Sequence, residues 1–245
     1  MEVELPSLNK IQVAHNYFFE NNFLVQHCIK DMDGVFTIAK YLIPKVKKMY
    51  RLQADPIFLP TPVAVGGHIE KAPTPTVCYI ARLDRRKRPM LFLNLAEKFP
   101  QVTFLVAGQS RDKRWEKFLR QKYEKIPNIR FLGFIDQFSS EEHARIREKS
   151  WIFVNTATRE AMPNSILEAS ASKCAILSHV DPDGFASRFG YHAKTDDFPE
   201  GLGFLLEDDR WRELGEKGYQ YVKSTFEMDW AIRLHMDIYK KLIGN

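Results

Sequence analysis

Cysteine is scarce in this 245-residue chain, and its few copies form no pattern. Cys28, Cys78 and Cys174 stand alone, with no CxxC pair. That argues against a disulfide framework or a zinc ribbon and for reduced thiols in the cytosol. No apolar run reaches the ~18 residues of a membrane span. The N-terminus is acidic and mixed rather than basic and then apolar, so no signal peptide is visible. A G-x-G-x-x-G run is missing after the 76–81 segment, which argues against a dinucleotide dehydrogenase. Internal repeats and low-complexity tracts are also absent.

Charge is present but unevenly spread. The net charge is +5. Residues 1–70 balance at 7 basic and 7 acidic side chains, residues 71–150 carry 18 against 9, and residues 151–245 carry 11 against 15. The middle third is therefore the place to look for an anionic ligand. A basic nucleic-acid-binding domain is the rival reading. Its basic groups are not interleaved with aromatics as a stacking platform needs, so no nucleic-acid partner is expected.

From residue 76 onward, short β-branched runs alternate with helical periodicity. Strands are expected at 76–81, 102–107, 129–132, 151–154 and 175–178, with a sixth at 203–206. Helices are expected at 89–99, 112–125, 139–149, 164–172, 208–224 and 228–243. Such βα repeats predict an α/β fold, a mostly parallel sheet covered on both faces. Ligands of such sheets sit beyond the C-terminal strand ends. Arg82, Gly108, Gly133 and Glu160 all fall there. Residues 1–70 read as a separate α/β piece, with strands near 11–14 and 34–39, a helix over 40–50, and a Pro- and Gly-rich linker from Pro60 to Pro75.

The segment Arg159-Glu160-Ala161-Met162-Pro163-Asn164-Ser165-Ile166-Leu167-Glu168-Ala169 is the most specific motif. An apolar strand leads into a loop acid, Glu160, and then a Pro-Asn-Ser helix start. Glu168 follows one turn inside the helix. A helix N-terminus offers free N–H groups and a positive dipole end to a diphosphate. Glu168 can accept hydrogen bonds from ribose hydroxyls, and Glu160 from a sugar hydroxyl. The plain alternative for Glu160 is a solvated loop acid, and for Glu168 a surface helix acid paired with a nearby cation.

In this order the motifs resemble the C-terminal half of a retaining glycosyltransferase of the GT-B, Rossmann-like fold, of the type grouped as family 4. The likeness rests on Tyr79-Ile80-Ala81-Arg82-Leu83 with Lys87, on Phe104 to Gly108, on Ile129 to Gly133, on the Glu-x7-Glu pair, and on Asp33 to Val63. The resemblance implies transfer of a hexose from a nucleoside-diphosphate sugar to a glycan or lipid-linked acceptor. Arg82 and Lys87, with the backbone N–H groups of Asn164 and Ser165, would hold the diphosphate. Ala161 and Met162 would meet the donor sugar through their backbone, and Glu168 would hold the ribose. Glu160 and His15 would act at the reacting sugar. Phe134 and Ile135 would flank the base or pack in the core. Arg85, Arg86 and Arg88 are expected to be solvated, and the remaining histidines, His143 among them, to be surface or packing residues.

The same resemblance divides the chain into a partial acceptor-side segment and linker (1–70), a nucleotide-sugar domain (71–226) and a C-terminal helix packing back toward the N-terminal part (227–245). Neither a cofactor nor a metal is implied. Asp31-Met32-Asp33 and Asp181-Pro182-Asp183 have the DxD form, but it is common by chance and the surrounding architecture is missing. Ala161 replaces a frequent glycine, Lys173-Cys174-Ala175 replaces Gly-x-Pro, and no Gly-rich loop stands in the first 70 residues. A non-catalytic nucleotide-sugar module, or the donor half of a two-chain transferase, is the alternative, with a second chain supplying the remaining N-terminal domain. The expected location is cytoplasmic. Lys45, Lys47 and Lys48 leave open a peripheral contact with the inner face of a membrane.

Overall fold

Unbroken apolar runs become the central strands of a parallel sheet in the computed structural model. Residues 12–14, 29, 32–66, 69–136 and 141–244 are described. The chain forms two units: Met1–Pro62 with Met228–Asn245, and Val63–Glu227.

In the first unit, β1 (Gln12–Ala14), β2 (Val35–Thr37) and β3 (Ile57–Phe58) pair in parallel in that order. Helix α1 (Leu42–Tyr50) joins β2 to β3 and buries Leu42, Val46 and Tyr50, which share one face at a spacing of four. The helix that ends the chain, Met228–Ile243, belongs to this unit. Its Tyr239 ring meets Phe36 edge-on at 5.9 Å, and His235 Nε2 donates to the Pro60 carbonyl at 2.9 Å. His15 lies outside the described residues.

The second unit holds six parallel strands: β4 (Thr76–Ile80), β5 (Thr103–Ala107), β6 (Ile129–Gly133), β7 (Ile152–Asn155), β8 (Ala175–Ser178) and β9 (Gly190–His192). Their spatial order is β6-β5-β4-β7-β8-β9. Every residue of β4, β7 and β8 is buried, as expected of parallel strands covered on both faces. Helices α2 (Pro89–Leu93), α3 (Leu95–Lys98), α4 (Lys113–Tyr123), α5 (Glu142–Lys149), α6 (Asn164–Ala171), α7 (Phe185–Phe189), α8 (Phe198–Leu206) and α9 (Arg210–Thr225) complete it. Phe92, Phe104 and Phe153 are essentially fully buried, each stabilising the fold by roughly 1.5–3 kcal/mol.

The sixth strand is not where the sequence places it. Residues 203–206 lie within α8, which buries Phe198, Leu202 and Leu205 at helical spacing. The sixth strand is β9. It begins at Gly190, where a Cβ would stand 1.8 Å from the Ile176 carbonyl oxygen. Only glycine lets an edge strand come that close to β8.

The two ends of this sheet differ. Below the strands' N-terminal ends, Lys71 Nζ donates to the carbonyls of Ser150 (2.5 Å), Ser172 (2.6 Å) and Arg147 (3.2 Å), and the Trp151 and Trp211 rings stack at 4.5 Å. At the other end, the strand order reverses between β4 and β7. A parallel α/β sheet opens its ligand crevice at such a switch.

Candidate functional site

The crevice is built from the loop after β4, the ends of β5 and β6, and the first turn of α6. Gly108 makes it possible. It ends β5 at φ +138°, and a Cβ there would sit 1.9 Å from the Ala81 carbonyl oxygen. The loop from Ala81 is pinned by Leu83 N–H to Gln109 O (3.1 Å) and by Trp115 Nε1 to Leu83 O (2.7 Å). Trp115 is itself placed by the Asp112 cap of α4, which accepts from the N–H groups of Arg114 and Trp115.

A cavity of about 800 Å³ results. Arg82, Asn164, Ser165 and Glu168 line it, and so do Phe134, Ile135 and His143. Arg82 is 59% exposed and pairs with Asp84 at 3.1 Å. Pro163 precedes α6 without any side-chain cap, so the leading N–H groups of that helix stay available. Phe134 is 64% exposed and so belongs to the cavity wall rather than to the core.

Lys87 and Glu160 are brought together, but with each other. Lys87 Nζ donates to Glu160 Oε1, and both side chains are about three-quarters buried. Neither lines the cavity. Tyr79 and Thr156 hydroxyls both donate to the Lys87 carbonyl and fix this stretch of backbone. Ala161 and Met162 are buried side chains, so only their backbone can serve a ligand.

Arg88 is not solvated. Its Nε donates to Thr156 O at 2.7 Å and its Nη1 meets Asp196 at 2.7 Å. Asp196 also faces His179 Nδ1 at 2.9 Å. Burial pushes the Asp196 carboxyl up, yet Arg88 and His179 hold it below its usual range. Asp181, from the second DxD, accepts from the Ser187 N–H at 3.1 Å and thereby supports the start of α7. Among the described residues no cluster of three metal-ligating side chains occurs.

Glu168 is paired with a nearby cation, as its plain alternative expected, and that cation is Arg147. Arg147 Nη1 lies 3.1 Å from its Oε2. Burial raises the Glu168 pKa, and the Arg147 charge pulls against it. The same guanidinium contacts His143 Nδ1. The only sequence signal for this pair is a spacing of four on a helix, which puts both on one face.

Residues 67–222 match the family described as Glycosyl transferases group 1. The chain belongs to this family. As a member of this family, it shares the GT-B fold with solved structures of low identity. A TarM variant from S. aureus, in complex with fondaparinux, α-GlcNAc-glycerol and UDP, is 16% identical with a TM-score of 0.71, over 92% of this chain and 48% of that one. The GtfA/B complex gives 14% identity and a TM-score of 0.74, over 91% and 48%. Anabaena HepE in complex with UDP-glucose gives 12% and 0.71, over 94% and 71%. The chain thus spans about half the length of TarM and of the matched GtfA/B chain. No curated protein matches its sequence.

Proposed function

We propose that this chain carries the donor site of a retaining, family-4-type glycosyltransferase that moves a hexose from a nucleoside-diphosphate sugar to a glycan or lipid-linked acceptor. One observation carries the reading: Arg82, the uncapped first turn of α6 and Glu168 line a single cavity at the sheet's switch point. The UDP and UDP-glucose complexes of similar folds support it.

As the glycosidic bond breaks, negative charge grows on the departing diphosphate. Arg82 and the N–H groups of Asn164 and Ser165 stabilise that charge. Lys87 turns from Glu160 to the diphosphate when donor binds, and the Glu160 carboxylate accepts from a sugar hydroxyl. Backbone groups of Ala161 and Met162 hold the sugar, Glu168 accepts from the ribose diol, and His15 acts at the reacting sugar. Charge on the leaving group is met by these side chains without a metal or a cofactor. A cytoplasmic location, with peripheral membrane contact through Lys45, Lys47 and Lys48, accords with a lipid-linked acceptor.

A second reading takes the chain as the donor half of a two-chain transferase. The GtfA/B complex among the similar folds motivates it. One panel separates the two. Thermal shift with UDP, GDP, CDP and ADP reports the donor site, since ligand at 100 times its Kd stabilises by about 2.7 kcal/mol. Sugar transfer by the chain alone, with the anomer identified by NMR and with EDTA present, reports catalysis. Nucleotide binding without transfer favours the two-chain reading. If no nucleotide shifts the melting temperature, both fail.

A further inference from the structure

His143 and Arg147 stand one turn apart on α5. His143 lines the cavity beside Phe134 and Ile135. Arg147 lies behind it, only 12% exposed. One nitrogen, Nη1, serves both Glu168 Oε2 at 3.1 Å and His143 Nδ1. A guanidinium can only donate, and it does not lose its proton in proteins. His143 Nδ1 must therefore accept, and the proton of the neutral ring sits on Nε2. Burial and the Arg147 charge keep the ring neutral, with its pKa lowered to about 4. Among the described residues, no hydrogen bond is made to Nε2. The cavity is thus offered one uncharged N–H donor of fixed tautomer.

Its position has a direction. Arg82 and the helix end mark the phosphate side, Glu168 stands one turn further along α6, and the Arg147 guanidinium that pairs with Glu168 also contacts His143 on the cavity wall. A nucleotide runs phosphate, ribose, base in the same order. Phe134 supplies an exposed aromatic ring on which a base can stack.

We propose that His143 is a specificity-determining residue that reads the nucleobase, donating from Nε2 to a keto oxygen. The site then selects uracil or guanine over cytosine or adenine, which present an amine at the corresponding edge. Arg147 is a positioning residue, fixing the His143 tautomer and aiming the Glu168 carboxylate. This rests on reading the cavity as a nucleotide site. An amine placed there sets donor against donor and leaves both hydrogen bonds unmade, which weakens binding by roughly tenfold or more.

The test is calorimetric binding of the matched pairs UDP against CDP and GDP against ADP. Wild type should prefer one keto nucleotide over its amino counterpart by ~10-fold or more. His143→Gln carries both a donor and an acceptor on a rotatable amide, so that ratio should fall to within about threefold while the preferred nucleotide still binds. In long-range ¹H–¹⁵N spectra, wild-type His143 should show Nδ1 unprotonated, and Arg147→Met should give a tautomer mixture. Binding without keto preference, a preference unchanged in His143→Gln, or a protonated Nδ1 in wild type overturns the inference and leaves the nucleotide site standing. Failure of every nucleotide to bind overturns both.

Discussion

The two ends of the six-stranded sheet satisfy their cations in different ways. At the N-terminal end, Lys71 Nζ is held by three backbone carbonyls and lies 3.5 Å from Cys174 Sγ. At the C-terminal end, Arg82 pairs with Asp84, Lys87 with Glu160 and Arg88 with Asp196, while Arg147, whose carbonyl accepts from Lys71, turns its guanidinium to Glu168. The first arrangement cannot be exchanged, because a carbonyl fixed in a strand or helix end loses its partner if the cation moves. The second can. Each carboxylate is a side chain that can rotate toward another donor, and each cation can take a phosphate oxygen in its place. One end of the sheet fastens the fold, and the other keeps its charges on terms a ligand can meet.

The hardest test of that contrast is Gly108→Ala. The new Cβ would overlap the Ala81 carbonyl, and the backbone there is at φ +138°. More than ~3 kcal/mol of stability should be lost, read by urea denaturation, together with nucleotide binding. A variant as stable as wild type would mean that the strand ends part easily and the cavity is not preformed. Next in size is Lys71→Met. Its three carbonyls lose their donor, which should cost about 2 kcal/mol. Below its melting temperature, its nucleotide affinity should equal that of wild type. A change in affinity would show that the two ends are coupled.

Much of this arrangement is legible in the sequence, for identifiable reasons. β4, β7 and β8 stand out because parallel strands buried on both faces leave near-continuous apolar runs. The placement of Arg82, Asn164, Ser165 and Glu168 around one crevice follows from their falling at strand ends and at a helix start. β9 escapes because three residues carry too little pattern, and the reason for Gly190 is its approach to Ile176 O, a tertiary fact. Residues 203–206 mislead because a short apolar run suits a buried helix as well as a strand. Arg88 and Arg147 are hidden among basic residues that look solvated; their acceptors, Thr156, Asp196 and Glu168, are distant in sequence. The Lys87–Glu160 contact is also tertiary, and it keeps both out of the cavity lining.

A middle-sized effect is expected from Glu168→Gln. The amide oxygen still accepts from Arg147, so stability should change by less than about 1 kcal/mol. A ribose diol then meets one neutral acceptor instead of a charged carboxylate, and nucleotide affinity should fall ~10-fold. Lys71→Met and Glu168→Gln are thus mirror images: stability without affinity, and affinity without stability. If Glu168→Gln lowers the melting temperature as much as Lys71→Met does, the carboxylate is a fastening like Lys71 and the contrast between the two ends dissolves.

The smallest effect is a slope with pH. His143 is held near 4 in the folded chain, against an ordinary value of 6.5. Between those values the unfolded chain binds more protons, so stability from this residue is complete above 6.5 and is lost as pH falls toward 4. Glu168, shifted upward by burial, acts in the opposite sense just above the ordinary glutamate value, where the folded chain holds more protons. Comparing wild type with His143→Gln cancels the Glu168 contribution as long as its pairing with Arg147 survives. The variant should lose less melting temperature between pH 7 and pH 5 than wild type does. The difference should be on the order of 1–2 °C, since His143 is only half-buried and solvent screens it. Equal slopes would show that the imidazole is free to charge, and a ring that charges beside Arg147 cannot keep Nδ1 as an acceptor. The C-terminal end of the sheet would then be set by carboxylates alone, with no neutral donor held in place for the base.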